Sequence, residues 1–217
     1  MAIKTAIFDL DGTVLDTVKS IAYFCNEAMV KCGINPEPVE NYNYHAGNGA
    51  KTLVHRALSA QNADTEENFN RVYPLYMKSY NADSAYKTEH FKGMPEVLRK
   101  MKEQGIVLGV VSNKPQSTVD ETLPKFFPDG FFKYVYGSQG EMPLKPNPAA
   151  VLKIMELENV KRDDVLYVGD TGTDMETGKN AEVLTIGVTW GFRDRAELEK
   201  SGADLIISKP EELLSYI

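Results

Sequence analysis

The sequence predicts an α/β fold: a doubly wound parallel sheet with an all-α unit inserted into it. Three observations carry this. Six short runs rich in Val, Ile, Leu and Tyr lack polar alternation, the pattern of strands buried on both faces of a sheet. Segments of helical period lie between them, so successive strands are joined by crossover helices and run parallel. From about Thr17 to Glu89 that alternation stops and no strand pattern occurs. The expected division is a Rossmann-like core of residues 1–16 and 90–217, interrupted by a helical unit of residues 17–89.

The elements follow in order. Ala6-Ile7-Phe8 is the first strand. The inserted unit then reads as helices over Val18 to Lys31, Ala50 to Ala60 and Glu66 to Asn81. Leu53, Ala57 and Leu58 recur at helical spacing, as do Phe69, Val72, Tyr73 and Tyr76. Gly33 to Pro38, Gly47-Asn48-Gly49 and Asn62 to Thr65 break the helices apart. The core resumes near Gly93. Strands are expected over Val107 to Val111, Tyr134 to Tyr136, Val165 to Val168, Leu184 to Val188 and Leu205 to Ile207. Helices are expected over Pro95 to Gln104, Gln116 to Lys125, Pro148 to Leu157 and Arg195 to Lys200.

Composition narrows the function. The 217 residues are 42% hydrophobic and 25% charged, ordinary for a globular enzyme. Twenty-four basic against 31 acidic residues give a net charge of −7, a poor surface for holding nucleic acid by its phosphates. No apolar stretch approaches the ~18 residues of a membrane helix. Met1 to Ile7 holds no long apolar segment and no small-residue cleavage site, so no secretory leader is expected. Cys25 and Cys32 fall two helical turns apart, about 10 Å, too far for a disulfide. They read as thiols of a reducing cytoplasm.

Chemistry gathers where strands end. The first strand runs into Asp9-Leu10-Asp11-Gly12-Thr13, and a later one into Gly169-Asp170-Thr171-Gly172-Thr173-Asp174. Ligands of open parallel sheets bind outside the carboxyl ends of the strands, so Asp9, Asp11, Asp170 and Asp174 can converge there. Clustered carboxylates do not all stay ionised without a cation. An all-oxygen set favours a hard metal, and Mg²⁺ with its preference for waters and phosphate fits best. A calcium loop counted from Asp9 would need Gly at Val14 and Glu at Ser20, so that reading fails. Ser112-Asn113-Lys114 ends a strong strand. Lys145 lies in the stiff run Pro143-Leu144-Lys145-Pro146-Asn147-Pro148, suited to fixing an ammonium near a phosphate.

These segments resemble the four motifs of the haloacid dehalogenase superfamily, in its phosphatase branch. Asp9-Leu10-Asp11-Gly12-Thr13 matches the first, Ser112-Asn113-Lys114 the second, Lys145 in Lys-Pro-x-Pro the third, and Gly169-Asp170-Thr171 with Asp174 the fourth. The chain is most similar to phosphoglycolate phosphatases, through Gly47-Asn48-Gly49-Ala50, Phe91-Lys92-Gly93-Met94, Val188-Thr189-Trp190-Gly191 and Gly202-Ala203-Asp204. The resemblance implies a HAD-like core with a helical-bundle cap. It implies Asp9 as nucleophile forming an aspartyl-phosphate, and Asp11 as acid and then base, in surroundings that raise its pKa. Ser112 and Lys145 would hold the phosphoryl oxygens. Mg²⁺ would be bound by Asp9, the backbone carbonyl of Asp11, Asp170 and Asp174. Asn113, Lys114 and the cap loop Gly47-Asn48-Gly49 would contact substrate. Thr13 is either a helper of the site or a helix start. Position 112 carries Ser where many relatives have Thr, and Thr173 stands where many carry Asn.

The implied partner is a small phosphorylated metabolite, with 2-phosphoglycolate favoured, acting on a monomer or homodimer. Inorganic pyrophosphatase is the close alternative, and a mutase of the β-phosphoglucomutase type a more distant one. A dehalogenase would lack the second Asp of the first motif, which is present here as Asp11.

Overall fold

The computed structural model describes residues 3–217. Met1 and Ala2, which the sequence reading includes in the core and the opening segment, lie outside them. The elements are β1 (Thr5–Phe8), β2 (Leu15–Asp16), α1 (Val18–Lys31), α2 (Tyr42–His45), α3 (Ala50–Ala60), α4 (Glu66–Ala82), β3 (Glu89–His90), α5 (Met94–Glu103), β4 (Val107–Pro115), α6 (Gln116–Thr122), β5 (Tyr134–Ser138), α7 (Ala149–Glu158), β6 (Val165–Gly169), α8 (Gly172–Ala181), β7 (Leu184–Val188), α9 (Arg195–Lys200) and β8 (Leu205–Ile207). Among the described residues no helix is long and apolar enough to cross a membrane.

Six strands form one parallel sheet in the order β5-β4-β1-β6-β7-β8. The chain builds outward from β1 to β4 and β5, then returns to β1's other side for β6, β7 and β8. The order therefore reverses beside β1, and the carboxyl ends of β1 and β6 open a crevice there. Thr5 to Phe8 pair with Val107 to Val110 on one side and Val165 to Val168 on the other. This register brings the residues after Phe8, Val111 and Gly169 to one end of the sheet. Side chains alternate between faces. Ala6, Phe8, Val110 and Val168 join the larger apolar cluster, while Ile7, Val111, Val165 and Tyr167 pack with α7 on the opposite face.

Helices α1 to α4 surround a cluster of their own. Ile21, Phe24, Cys25, Ala28 and Met29 repeat at helical spacing on α1 and meet Leu53, Ala57, Val72 and Tyr76. Thr65 caps α4 by accepting from Asn68 N–H, with Glu66 and Glu67 in the first turn favouring the helix dipole. Where the chain leaves the sheet and returns, β2 and β3 pair antiparallel, Leu15 with His90 and Asp16 with Glu89.

Several elements differ from the sequence expectation. Helix α8 was not anticipated, because its Gly and Thr residues obscure the helical period. The signal available was a capping box: Thr171 accepts from Asp174 N–H and the Asp174 carboxylate accepts from Thr171 N–H. Strand β4 does not stop at Val111 but continues to Pro115 across a shift in register. Ser112, Asn113 and Lys114 thus sit on an irregular strand, the kind of bulge that re-aims side chains beside a site. The helix expected to Lys125 ends at Thr122 and passes into a 3₁₀ turn at Leu123–Lys125, where Pro124 lacks the N–H to continue it. Cys25 is buried in α1, whereas Cys32 follows that helix as its cap and is half-buried; both are free thiols.

Candidate active site

Asp9 stands directly after β1, its N–H donating to Val168 O at 2.9 Å. The residue is 5% exposed. Its Oδ1 lies 2.8 Å from Lys145 Nζ, yet the geometry leaves that oxygen without a hydrogen bond. Burial pushes the Asp9 carboxyl up to about 7; Lys145 opposes this and Asp174 reinforces it.

Lys145 is buried between two carboxylates, 2.8 Å from Asp9 Oδ1 and 2.7 Å from Asp174 Oδ1. Burial works against its charge, but Asp174 and Asp9 outweigh it and hold the ammonium well above the usual lysine range. Its backbone is set by Asn113: Lys145 N–H donates to Asn113 Oδ1 at 2.8 Å, and Asn113 Nδ2 donates to Lys145 O at 3.1 Å.

Asp174 accepts from four donors. Lys145 Nζ and Tyr167 OH reach Oδ1 at 2.7 and 3.2 Å; Thr171 N–H and Thr171 Oγ1 reach Oδ2 at 3.1 and 2.6 Å. Asp170 accepts from Thr13 Oγ1 at 2.8 Å and from Phe192 N–H at 2.7 Å. Thr13 is therefore a buried partner of Asp170 and starts no helix. Burial, with Asp174 and Asp9 nearby, pushes Asp170 well above the carboxylate range. Gly12 and Gly191 crowd this carboxylate: a Cβ on either would run into Asp170. Gly12 also has φ +87°, so that turn is open to glycine on two counts.

Asp9, Asp170 and Asp174 each offer an oxygen within 4.8 Å of the others, all three buried. The fit to a cation is chemical. Burial and neighbouring carboxylates hold two carboxyls above their ordinary range, and Asp9 Oδ1 has no hydrogen bond. With oxygen donors alone, a hard ion such as Mg²⁺ matches the set. Asp9 and Asp170 would hold it, and Asp174, engaged by four donors, would complete or orient the set while bracing Lys145. The Asp11 carboxylate is not in this group and turns to Lys114 Nζ at 2.8 Å.

The remaining predicted residues divide. Ser112 and Lys114 line a cleft between core and helical unit, whose volume is about 460 Å³ including space open to solvent. Gly47 and Gly49 line it too. Asn48 does not: its Nδ2 donates to Thr173 Oγ1 at 2.9 Å. Asn113 reaches the cleft, but its side chain is spent as a bracket between Lys145 and Gly47 O, the latter at 3.2 Å. Arg193, after β7, donates to Ala46 O at 3.0 Å. Four consecutive residues of the helical unit, Ala46 to Gly49, are thereby tied or apposed to three segments of the core: β4, α8 and the loop after β7.

Sequence reasoning does not find Tyr76 and Tyr80 of α4, which line the cleft; Tyr76 reads only as part of an apolar stripe, and Tyr80 is not singled out. The signal was chemical, since a buried tyrosine hydroxyl needs a partner; for Tyr80 it is Lys114. Other residues noted in the sequence lie elsewhere. Lys51 is exposed, and Arg56 donates to Tyr44 O and His45 O. Trp190 packs on the core and donates to Thr13 O. His45 faces Glu37, His55 stacks on Phe69, and His90 packs edge-on against Phe126 and Phe127.

Residues 6–188 match the haloacid dehalogenase-like hydrolase family. A phosphoglycolate phosphatase of Pseudomonas putida is 30% identical over 214 residues, 97% of this chain and 78% of that protein. One of Vibrio parahaemolyticus is 31% identical over 219 residues, 99% of this chain and 96% of that protein. A crystal structure from Lactobacillus delbrueckii subsp. bulgaricus, named provisionally a phosphoglycolate phosphatase, matches with a TM-score of 0.94 and 31% identity, covering 100% of this chain and 99% of that one. With the four motifs converging at the reversal point of the sheet, the chain belongs to the haloacid dehalogenase-like hydrolases and is similar to their phosphoglycolate phosphatases.

Proposed function

We propose that the protein is a Mg²⁺-dependent phosphatase that cleaves a small phosphorylated metabolite through an aspartyl-phosphate on Asp9. The observation that carries this is Asp9 itself: a buried carboxylate beside Lys145, lining the cleft, with one oxygen lacking a hydrogen bond. An Asp9 oxygen attacks phosphorus while the ester P–O bond breaks. Asp11 donates a proton to the departing alkoxide, then takes one from the water that attacks the same phosphorus, releasing phosphate and restoring Asp9. Lys145 and Ser112 hold phosphoryl oxygens, and the whole is positioning plus charge stabilisation. Mg²⁺, when bound at Asp9 and Asp170, supplies further positive charge against the transferring group.

The names of the relatives support 2-phosphoglycolate as the substrate. Two free thiols support a cytoplasmic location. The test is phosphate release from 2-phosphoglycolate, pyrophosphate, sugar phosphates and nucleotides, with Mg²⁺ and with chelator. Release that requires Mg²⁺ and disappears in Asp9→Asn is expected. Undiminished turnover in Asp9→Asn would remove the covalent mechanism.

A further inference from the structure

The phosphoryl chemistry uses one lysine and leaves another unexplained. Lys114 lies in the cleft with its side chain 3% exposed. Its ammonium has three N–H donors. One goes to Asp11 Oδ1 at 2.8 Å and one to the hydroxyl of Tyr80, over whose ring the nitrogen sits at 4.6 Å. Among the described residues no acceptor takes the third.

The rest of that wall is apolar. Ile21, Ala46, Leu53 and Tyr76 of the helical unit line it. The unit's own nearby cations look elsewhere: Lys51 is exposed, and Arg56 is committed to carbonyls of α2. Arg193 is held by Ala46 O and Glu197 and does not line the cleft. A substrate whose phosphoryl group meets Asp9 thus finds, among the residues lining the cleft, one cation for its other end, the buried Lys114.

Resting on the phosphatase reading above, we infer that Lys114 is the specificity-determining residue, and that the substrate class is small phosphates carrying a second anion close to the first. A carboxylate one carbon beyond the ester carbon, or a second phosphate, has the chemistry to take the spare donor. A neutral ester leaves it unanswered in a poorly hydrated pocket, the situation in which a site built for a polar group rejects an analogue lacking it.

The test compares kcat/KM for 2-phosphoglycolate, pyrophosphate and ethyl phosphate, in which a methyl group replaces the carboxylate of the first. The native enzyme is expected to prefer at least one anionic substrate over ethyl phosphate by roughly 10- to 100-fold. Lys114→Met should bring that ratio close to one, and Lys114→Arg should keep most of it. Loss from disturbing Asp11, the acid for an alkoxide leaving group, falls on 2-phosphoglycolate and ethyl phosphate alike and cancels in the ratio of those two, which is the ratio that decides. If Lys114→Met lowers all three equally, Lys114 only steadies Asp11 and the inference fails. A native enzyme as fast on ethyl phosphate overturns it without any variant. Failure of the phosphatase reading looks different: no Asp9-dependent release from any phosphate.

Discussion

The hydroxyl of Thr13 touches nothing in the cleft, yet it fixes Asp170 from 2.8 Å away. Groups that orient a metal-binding carboxylate typically change affinity rather than chemistry. Thr13→Val keeps the shape and removes the donor, so the Mg²⁺ concentration for half-activity should rise roughly 10- to 100-fold, with kcat at saturating Mg²⁺ nearly retained. A Mg²⁺ titration of phosphate release checks this. The acidic residues and Lys145 were legible because a carboxylate after a buried strand has few structural uses. Thr13 was legible only as an alternative, since a threonine after Asp-Gly serves turns and caps as well. Tyr80 was not legible: its position at helical spacing explains it without the Lys114 contact that only the folded chain supplies.

At the level of elements, the loop before α3 is held from below. Asn113, after the shift in β4, donates to Gly47 O; Thr173, in α8, accepts from Asn48; Arg193 donates to Ala46 O. The same segments of β4 and α8 carry Ser112 and Asp174, so the loop packs on the parts that carry the candidate site. Asn48→Ala and Thr173→Val should each raise KM by up to about tenfold, the worth of one hydrogen bond. The double variant should do no more than either single one, and steady-state kinetics of the four proteins decides it. Thr173 matters here through a partner 125 residues away. Helix α8 escapes the sequence reading for a related reason: its glycines serve close approach. Gly178 shows the demand, since a Cβ there would strike Thr185 of β7.

Across the whole molecule, buried titratable groups outside the site set its response to acid. Burial holds His90 below its ordinary range, and holds His45 there against the opposing pull of Glu37. A histidine whose folded pKa is depressed lends stability above its unfolded value, near 6.5, and loses it as pH falls, because the unfolded chain takes up the proton first. Glu37 acts in the same sense at lower pH. Burial raises it, but hydrogen bonds from Asn41 and Gln61 together with His45 outweigh that and leave it low. Asp9 and Asp170, held high, act in the opposite sense, so the histidine share is read from a variant: His90→Phe, which keeps an aromatic ring against Phe126 and Phe127, should gain melting temperature relative to the native chain at pH 5 compared with pH 7.5. Thermal melts at the two pH values are the check.

The pairing of β2 with β3 bears on how such a chain is made. The sheet begins with β1, but its partner β4 starts about a hundred positions later. During synthesis the first strand emerges and waits, its edges uncovered, while α1 to α4 collapse through contacts near in sequence. Joining Leu15–Asp16 to Glu89–His90 then brings the two ends of that long detour together, and the entropy of closing a large loop is met once, at the ribbon. From there β4 has only a short distance to travel. The ribbon thus fastens the two ends of a helical unit whose own contacts are near in sequence.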